Sequence, residues 1–218
     1  MVVNKKSKAR LFIWPSLFLV LVVAASFVAQ VIFDNNYYVK FYVSGSSMNP
    51  TLVGDSNNAD YGIYDGHDSA LRNVKRFQIV TTYYPNDHES LKIKRVLFKP
   101  GDTFEIVAKE ENNKYKHQMR LYDSPKSGNY RILDFPFDAS GINEEHTYPK
   151  TTLADNRYFL AGDNWDNSID SFDPSVGPIE YKELVGVVVK VQGRCQVIGG
   201  KIENKKPYTA RFFNGVDY

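Results

Sequence analysis

Three short segments carry side chains suited to bond-breaking chemistry: Val43 to Leu52 (Val-Ser-Gly-Ser-Ser-Met-Asn-Pro-Thr-Leu), Leu91 to Val96 (Leu-Lys-Ile-Lys-Arg-Val) and Gly162 to Ser171 (Gly-Asp-Asn-Trp-Asp-Asn-Ser-Ile-Asp-Ser). The first offers hydroxyls on a turn that Pro50 stiffens, with Gly45 allowing backbone close to a ligand. The second offers lysines inside an alternating strand. A serine attacks a carbonyl only after losing its proton, and a lysine amine held neutral accepts that proton without a His/Asp pair. Serine with neutral lysine points to acyl transfer, and so to hydrolysis of a peptide bond.

Each segment also has an ordinary reading. Turns favour serine for local hydrogen-bonding reasons, so Ser47 taken alone is compatible with a purely structural role. Most strand lysines are solvated. Alternation puts Lys94 on one face with Lys92, Val96 and Phe98, and Leu91, Ile93, Arg95 and Leu97 on the other, so Lys94 has two apolar companions. Bringing a lysine from about 10.4 toward 7–8 takes about 4 kcal/mol of differential solvation, which only a dry pocket supplies. Met48 and Leu52 add apolar surface beside the hydroxyls, suited to small aliphatic side chains of a substrate. The Gly162–Ser171 segment reads either as a cross-linked Asx-rich turn or as a calcium loop built on Asp163, Asp166 and Asp170. It lacks the donor spacing and terminal glutamate of an EF-hand.

The elements that must position these groups read as mainly β. Tyr37–Val43 is a strand running into the serine turn, Phe77–Tyr84 a strand stopped by Pro85, and Leu91–Phe98 its hairpin partner or near neighbour. Residues 54–75 read as mostly loop with a short strand at Tyr61–Tyr64. The polar region 103–155, interrupted by Pro, Gly and Asn, is expected to form a smaller inserted β-rich lobe with a long loop. Leu184–Gln192 is the plainest core strand, and the tail after 200 is expected to be loose.

The N-terminus is different. Residues 11–33 contain no charged side chain and, as a helix, span about 34 Å, enough to cross a bilayer core of about 30 Å. Pro15 falls near its start, where it disturbs few helical hydrogen bonds. Lys5, Lys6, Lys8 and Arg10 precede it, and no acid occurs before Asp34. By the positive-inside rule, residues 1–10 stay cytoplasmic, 11–33 form the anchor and 34–218 emerge on the far side. A cleavable export signal competes, with Ala25–Ala29 imitating small-residue cleavage positions, but the apolar stretch exceeds the roughly 7–15 residues of a signal core. Ser47 follows Phe33 by 14 residues, so it lies within about 48 Å of the membrane surface.

Composition excludes other classes. Beyond the N-terminal cluster, 23 basic residues face 25 acidic ones, which is no nucleic-acid footprint. Cys195 is the sole cysteine, so no intramolecular disulfide forms. It reads as a small buried hydrophobe. His67, His88, His117 and His146 show none of the close spacings of zinc sites, so no metal is expected.

In combination and in this order, the apolar stretch and the three segments resemble the bacterial type I signal peptidases, or leader peptidases, of the serine/lysine kind. The family's Gly-x-Ser-Met-x-Pro-Thr is met by Gly45–Thr51, which implies that Ser47, not Ser44 or Ser46, is the nucleophile. Its Lys-Arg-Val followed by Pro-Gly-Asp is met by Lys94-Arg95-Val96 and Pro100-Gly101-Asp102, which implies that Lys94 is the base. Its Gly-Asp-Asn-x-x-x-Ser-x-Asp-Ser is met by Gly162–Ser171. That match implies that Ser168 hydrogen-bonds the lysine amine and that Arg95, Gly162, Asp163, Asn164 and Asp170 hold the motif together. The implied fold is a signal-peptidase-like β-domain behind one transmembrane helix. The implied activity is membrane-bound cleavage of signal peptides from secretory precursor proteins after Ala-x-Ala-like ends, by a monomer without cofactor. The substrate would lie extended beside Val43–Ser44 and Lys92–Ile93, with Met48 and Leu52 in its shallow pockets. Backbone pairing would give affinity and the pockets specificity.

Four positions depart from the pattern. Phe98 stands where glycine is usual, Phe77-Gln78 replaces Gly-Asp, and Phe172 replaces arginine, which leaves Asp170 to find another partner, for which Arg95 is the candidate. Gly45 carries no hydroxyl, so the oxyanion donors expected are the Ser47 N–H and the Ser46 hydroxyl. Two alternatives from other classes are a self-cleaving serine/lysine repressor, which should carry a DNA-binding domain in place of the anchor, and a membrane-tethered, non-catalytic binding protein on a degenerate scaffold.

Overall fold

The computed structural model describes residues 5–112 and 114–215. Residues 1–4 of the expected cytoplasmic segment, and the side chains of residues 5–13 and 33–36, lie outside this description. A first unit holds helix α1, Lys5–Tyr37, with Pro15 inside it. Its stretch Trp14–Ile32 has a mean hydropathy of 2.3 and is long and apolar enough to cross a membrane. Large apolar side chains such as Trp14, Phe18, Leu21 and Phe27 are exposed all along it.

The second unit begins at Lys40, inside β1 (Tyr38–Tyr42), and continues with β2 (Ala59–Asp65), a single helical turn α2 (Asp68–Arg72), β3 (Ile79–Tyr84), β4 (Asp87–Phe98), β5 (Thr103–Glu111), β6 (Lys114–Tyr122), β7 (Tyr130–Leu133), β8 (Tyr148–Thr152), β9 (Arg157–Ala161), β10 (Ile179–Glu180), β11 (Leu184–Ile198) and β12 (Lys201–Phe212). They form two sheets. The larger runs β1-β2-β11-β3-β4-β9-β10, with β12 also paired to β11, and the smaller runs β7-β6-β5-β8. The mainly β fold is as the sequence implied, and the stretch from Thr103 to Thr152 forms the smaller sheet.

β4 carries the fold's logic. It begins in solvent at Asp87–Ser90 and ends buried from Lys94 to Phe98. β3 pairs with it through Val80–Lys94 and β9 through Arg95–Ala161, which places Lys94 in the interior of the sheet. Simple alternation placed Phe98 with Lys94 and Val96. A register irregularity between Val96 and Phe98 instead sends Phe98 into the same core as Leu97, shared with Phe104 and Phe159. There Phe98 stacks on Phe104 with ring centroids 3.9 Å apart and lies beneath the Arg76 guanidinium. The phenylalanine that departs from the family pattern therefore joins the two sheets.

Two further expectations are corrected. The tail after 200 is not loose: β12 pairs with β11 from Lys190–Phe212 to Ile198–Lys201, on the edge that β3 leaves free. Region 54–75 is not mostly loop, because β2 is seven residues long and α2 adds a turn whose Leu71 is buried. β2 reads poorly as a strand because Ala59, Asp60, Gly62 and Asp65 have low strand propensity. Its pairing to β11 along Val187–Cys195 overrides that preference.

Candidate active site

The serine turn follows β1 and folds back on itself. Gly45, at φ +87°, accepts a left-handed conformation that side chains rarely adopt, and its N–H reaches the Gly54 carbonyl at 3.1 Å. The Leu52 N–H then bonds the Met48 carbonyl at 2.9 Å, closing the turn around Ser47. Met48 and Leu52 anchor it in a core with Phe41, Val43, Tyr64, Ile79 and Val188. Leu52 is completely buried in that core and lines neither of the two cavities at the serine turn. Met48 is also buried but does line the cavity beside Ser47, as do Val43, Ser44, Lys92 and Ile93.

The Gly162–Ser171 segment closes over the serine turn. The Asn164 N–H donates to the Ser47 carbonyl at 3.0 Å, and its side-chain amide donates to the Ser46 carbonyl at 3.1 Å. Gly162 sits where the two segments meet: a Cβ there would lie 2.3 Å from the Ser47 carbonyl oxygen and 2.4 Å from Ser168 Oγ. Only a residue without a side chain permits that approach.

Around Lys94 the polar groups form a chain. Lys94 Nζ donates to Ser168 Oγ at 2.9 Å, and Ser168 Oγ donates to Asp170 Oδ2 at 2.5 Å. Asp170 also accepts from the Gly162 N–H at 2.8 Å and the Phe172 N–H at 3.2 Å. Its partner is therefore not Arg95. Arg95 forms a buried fork with Asp163, at 2.7 and 2.6 Å, and donates to the Phe77 carbonyl at 2.7 Å. Phe172 packs its ring on Phe159 and Trp165.

The three aspartates weighed as a calcium loop are thus separated. Asp163 pairs with Arg95 and Asp170 with Ser168, while Asp166 accepts the Asn143 N–H at 2.7 Å and lies 3.0 Å from His146 Nε2. The fold does bring Glu144, His146 and Asp166 within ligand reach of one another. Sequence spacing gave no sign of this, because His146 and Asp166 meet only through the loop that Asp166 caps.

Burial lowers the Lys94 pKa to about 8, and Lys92 acts in the same direction, while Asp170 and Asp163 oppose it. Burial also pushes the Asp170 carboxyl upward, against the hydrogen bonds from Ser168 and the Gly162 N–H. A neutral amine has one lone pair, and an N–H given to Ser168 fixes the direction in which that lone pair can act. Ser47 and Lys94 line the same two cavities, one of about 570 Å³ along β1 and β4 and one of about 550 Å³ beside Ile169 and Val176. Ser46 is exposed on the second. Among the described hydrogen bonds, the Ser47 N–H is engaged in none.

Sequence reasoning missed Tyr84, which lines the second cavity and whose hydroxyl donates to the Ile169 carbonyl at 2.5 Å. Tyr64 and Thr81, in the first cavity, were likewise read only as strand residues. Alternation within β2 and β3 reveals their faces, but not that those faces border the serine turn.

A family model described as signal peptidase, peptidase S26, matches residues 11–192. Signal peptidase I V of Bacillus subtilis strain 168 is 32% identical over 161 residues, covering 71% of this chain and 85% of the relative. Signal peptidase I P of Bacillus subtilis subsp. natto is 26% identical over 186 residues, covering 84% and 90%. Signal peptidase I of Bacillus amyloliquefaciens is 24% identical over 179 residues, covering 82% and 86%.

Proposed function

The chain belongs to the signal peptidase family, peptidase S26, and is a serine endopeptidase that removes signal peptides; on that premise we propose that Ser47 and Lys94 are its catalytic dyad. Neutral Lys94 accepts the Ser47 proton, and Ser47 Oγ attacks the carbonyl of the scissile peptide bond. The oxyanion that forms is stabilised by the Ser47 N–H and the Ser46 hydroxyl. As the C–N bond breaks, the protonated lysine gives its proton to the leaving amine. Lys94 then draws a proton from water, which hydrolyses the acyl-enzyme and regenerates Ser47. Ser168 positions the amine, while Arg95, Gly162, Asp163, Asn164 and Asp170 hold the framework.

The observation that carries this reading is the Lys94 amine, buried in β4, held by Ser168 at 2.9 Å, and bordering the same cavities as Ser47. The substrate's acyl half lies extended between Val43–Ser44 and Lys92–Ile93, and small Ala-x-Ala-like ends suit the shallow space beside Met48. The apolar stretch 11–33 anchors the enzyme in the cell membrane with residues 1–10 cytoplasmic and 34–218 outside, where secretory precursors present their cleavage sites. Region 103–155 serves as a smaller lobe.

The test is cleavage of a fluorogenic peptide containing Ala-x-Ala by the detergent-solubilised full chain, beside Ser47→Ala and Lys94→Met. Wild type should cut after the second alanine, and both variants should be folded and silent. Cleavage at the wild-type rate by either variant refutes the dyad.

A further inference from the structure

Ser47, Lys92 and Lys94 line both cavities of the site, and no other residue lines the two. The first runs between β1 and β4, where an extended chain can add to strand edges. The second, of about 550 Å³, is walled by Tyr84, Asp87, Asn167, Ile169, Ser175 and Val176. It is in the size range of clefts that bind small ligands, about 300–1,000 Å³.

Its most unusual feature is Ile169, an aliphatic side chain that is 65% exposed. The chain under it is held at three successive residues, through the Ser168 and Asp170 side chains and the Ile169 carbonyl. Ser168 is bonded to Lys94 and Asp170, the Ile169 carbonyl accepts from the Tyr84 hydroxyl, and Asp170 accepts from the Gly162 and Phe172 amides. An apolar side chain held in the open on a rigid support loses little entropy when a partner covers it. The charge in this wall is already internally matched, since Lys92 Nζ lies 2.9 Å from Asp87 Oδ2.

A peptide attacked at one carbonyl continues in both directions from the scissile bond. With the acyl half in the first cavity, the other half must leave Ser47 and Lys94 on the opposite side. We propose that the second cavity binds the leaving half of the substrate, the segment that becomes the new N-terminus, and that it takes an apolar side chain from that segment against Ile169, Val176 and the Tyr84 ring. This rests on the serine/lysine reading above. Because the leaving half departs as the acyl-enzyme forms, the cleft acts on acylation and not on deacylation.

The experiment uses the detergent-solubilised full chain and peptides identical on the acyl side, with Leu, Ala or Asp in the first position after the cut. A control ester carries the same acyl half and a small alcohol in place of the leaving peptide. Wild type should cut the Leu peptide with a kcat/KM about tenfold above the Asp peptide. Ile169→Asn and Val176→Asn should flatten that ratio toward one while leaving ester turnover unchanged. Turnover of all three peptides at equal efficiency by wild type, or a ratio that survives in both variants, overturns the cleft assignment alone. Absence of turnover of ester and peptides alike overturns the serine/lysine reading and this inference with it.

Discussion

Burying the Lys94 amine must cost the fold stability, and that cost can be measured by removing the amine. With a pKa of about 8 in the folded chain against 10.5 as the ordinary value, the shift amounts to about 3 kcal/mol at 1.36 kcal/mol per unit. The folded pKa of this base is depressed, so the penalty is fully present below about pH 8, where both states are protonated. Between about 8 and 10.5 the unfolded chain holds more protons than the folded one, stability rises with pH, and above 10.5 the penalty is gone. Lys94→Met keeps the apolar stem but loses the bond to Ser168, which costs about 1 kcal/mol. The variant should therefore be more stable than wild type by about 2 kcal/mol at pH 7, or about 4–8 °C in Tm for a domain of this size. Urea melts of both proteins in detergent should show wild type recovering about 2–3 kcal/mol relative to the variant between pH 7 and pH 10. The same group sets activity: kcat/KM should climb with pH through about 8 as the base loses its proton. A Lys94→Met protein no more stable than wild type at pH 7, with a gap that pH does not change, would refute the argument that burial depresses this lysine.

Gly162→Ala should lower kcat/KM by at least about 100-fold, because its methyl group would meet the Ser47 carbonyl at 2.3 Å and displace the nucleophile from Lys94; near-normal turnover would show that the two segments can separate freely. Phe77 holds φ at +68° with its ring buried. At this position glycine should be the less damaging replacement, with Phe77→Gly more stable than Phe77→Ala by about 1 kcal/mol in urea melts, the reverse of the order in ordinary extended backbone. Arg211 donates to the fully buried Asp60 at 2.9 Å and to the Thr51 carbonyl at 2.8 Å, and Tyr208 bonds the same carboxylate at 2.7 Å. Arg211→Ala should lower stability by about 2–3 kcal/mol by leaving that charge underpaired, and adding Asp60→Asn should recover part of the loss. A double variant less stable than Arg211→Ala alone would remove the pairing argument.

The chemistry-bearing segments were legible because each is local. A glycine that turns the chain, a lysine two positions from another on an alternating strand, and an Asx-rich loop are all contained within about ten residues. The apolar stretch was legible for the same reason, since a run of uncharged residues needs no partner to be recognised. Where sequence reasoning failed, the deciding partner lay far along the chain. Leu52 read only as apolar surface beside the hydroxyls, yet it packs in a core with Val188 and Val191. β12 looked loose because Lys201–Lys206 is polar, yet β11 had an edge to pair and Asp60 a charge to satisfy. That strand lies beyond residue 192, where the family match ends, so family pattern gave no warning of it.

Sequence by itself determined the mainly β fold, the long apolar helix and the family, because period-2 alternation, uncharged length and ordered motifs are properties of the chain read in one dimension. Tertiary structure alone decided which carboxylate Arg95 grips, that Asp170 is reached through Ser168, and that Phe98 joins two sheets across a register irregularity. It also decided the protonation of Lys94. A lysine's pKa depends on the water it loses and on the charges brought near it; burial lowers this one, and the carboxylates that oppose it, Asp170 and Asp163, lie about 70 residues away along the chain.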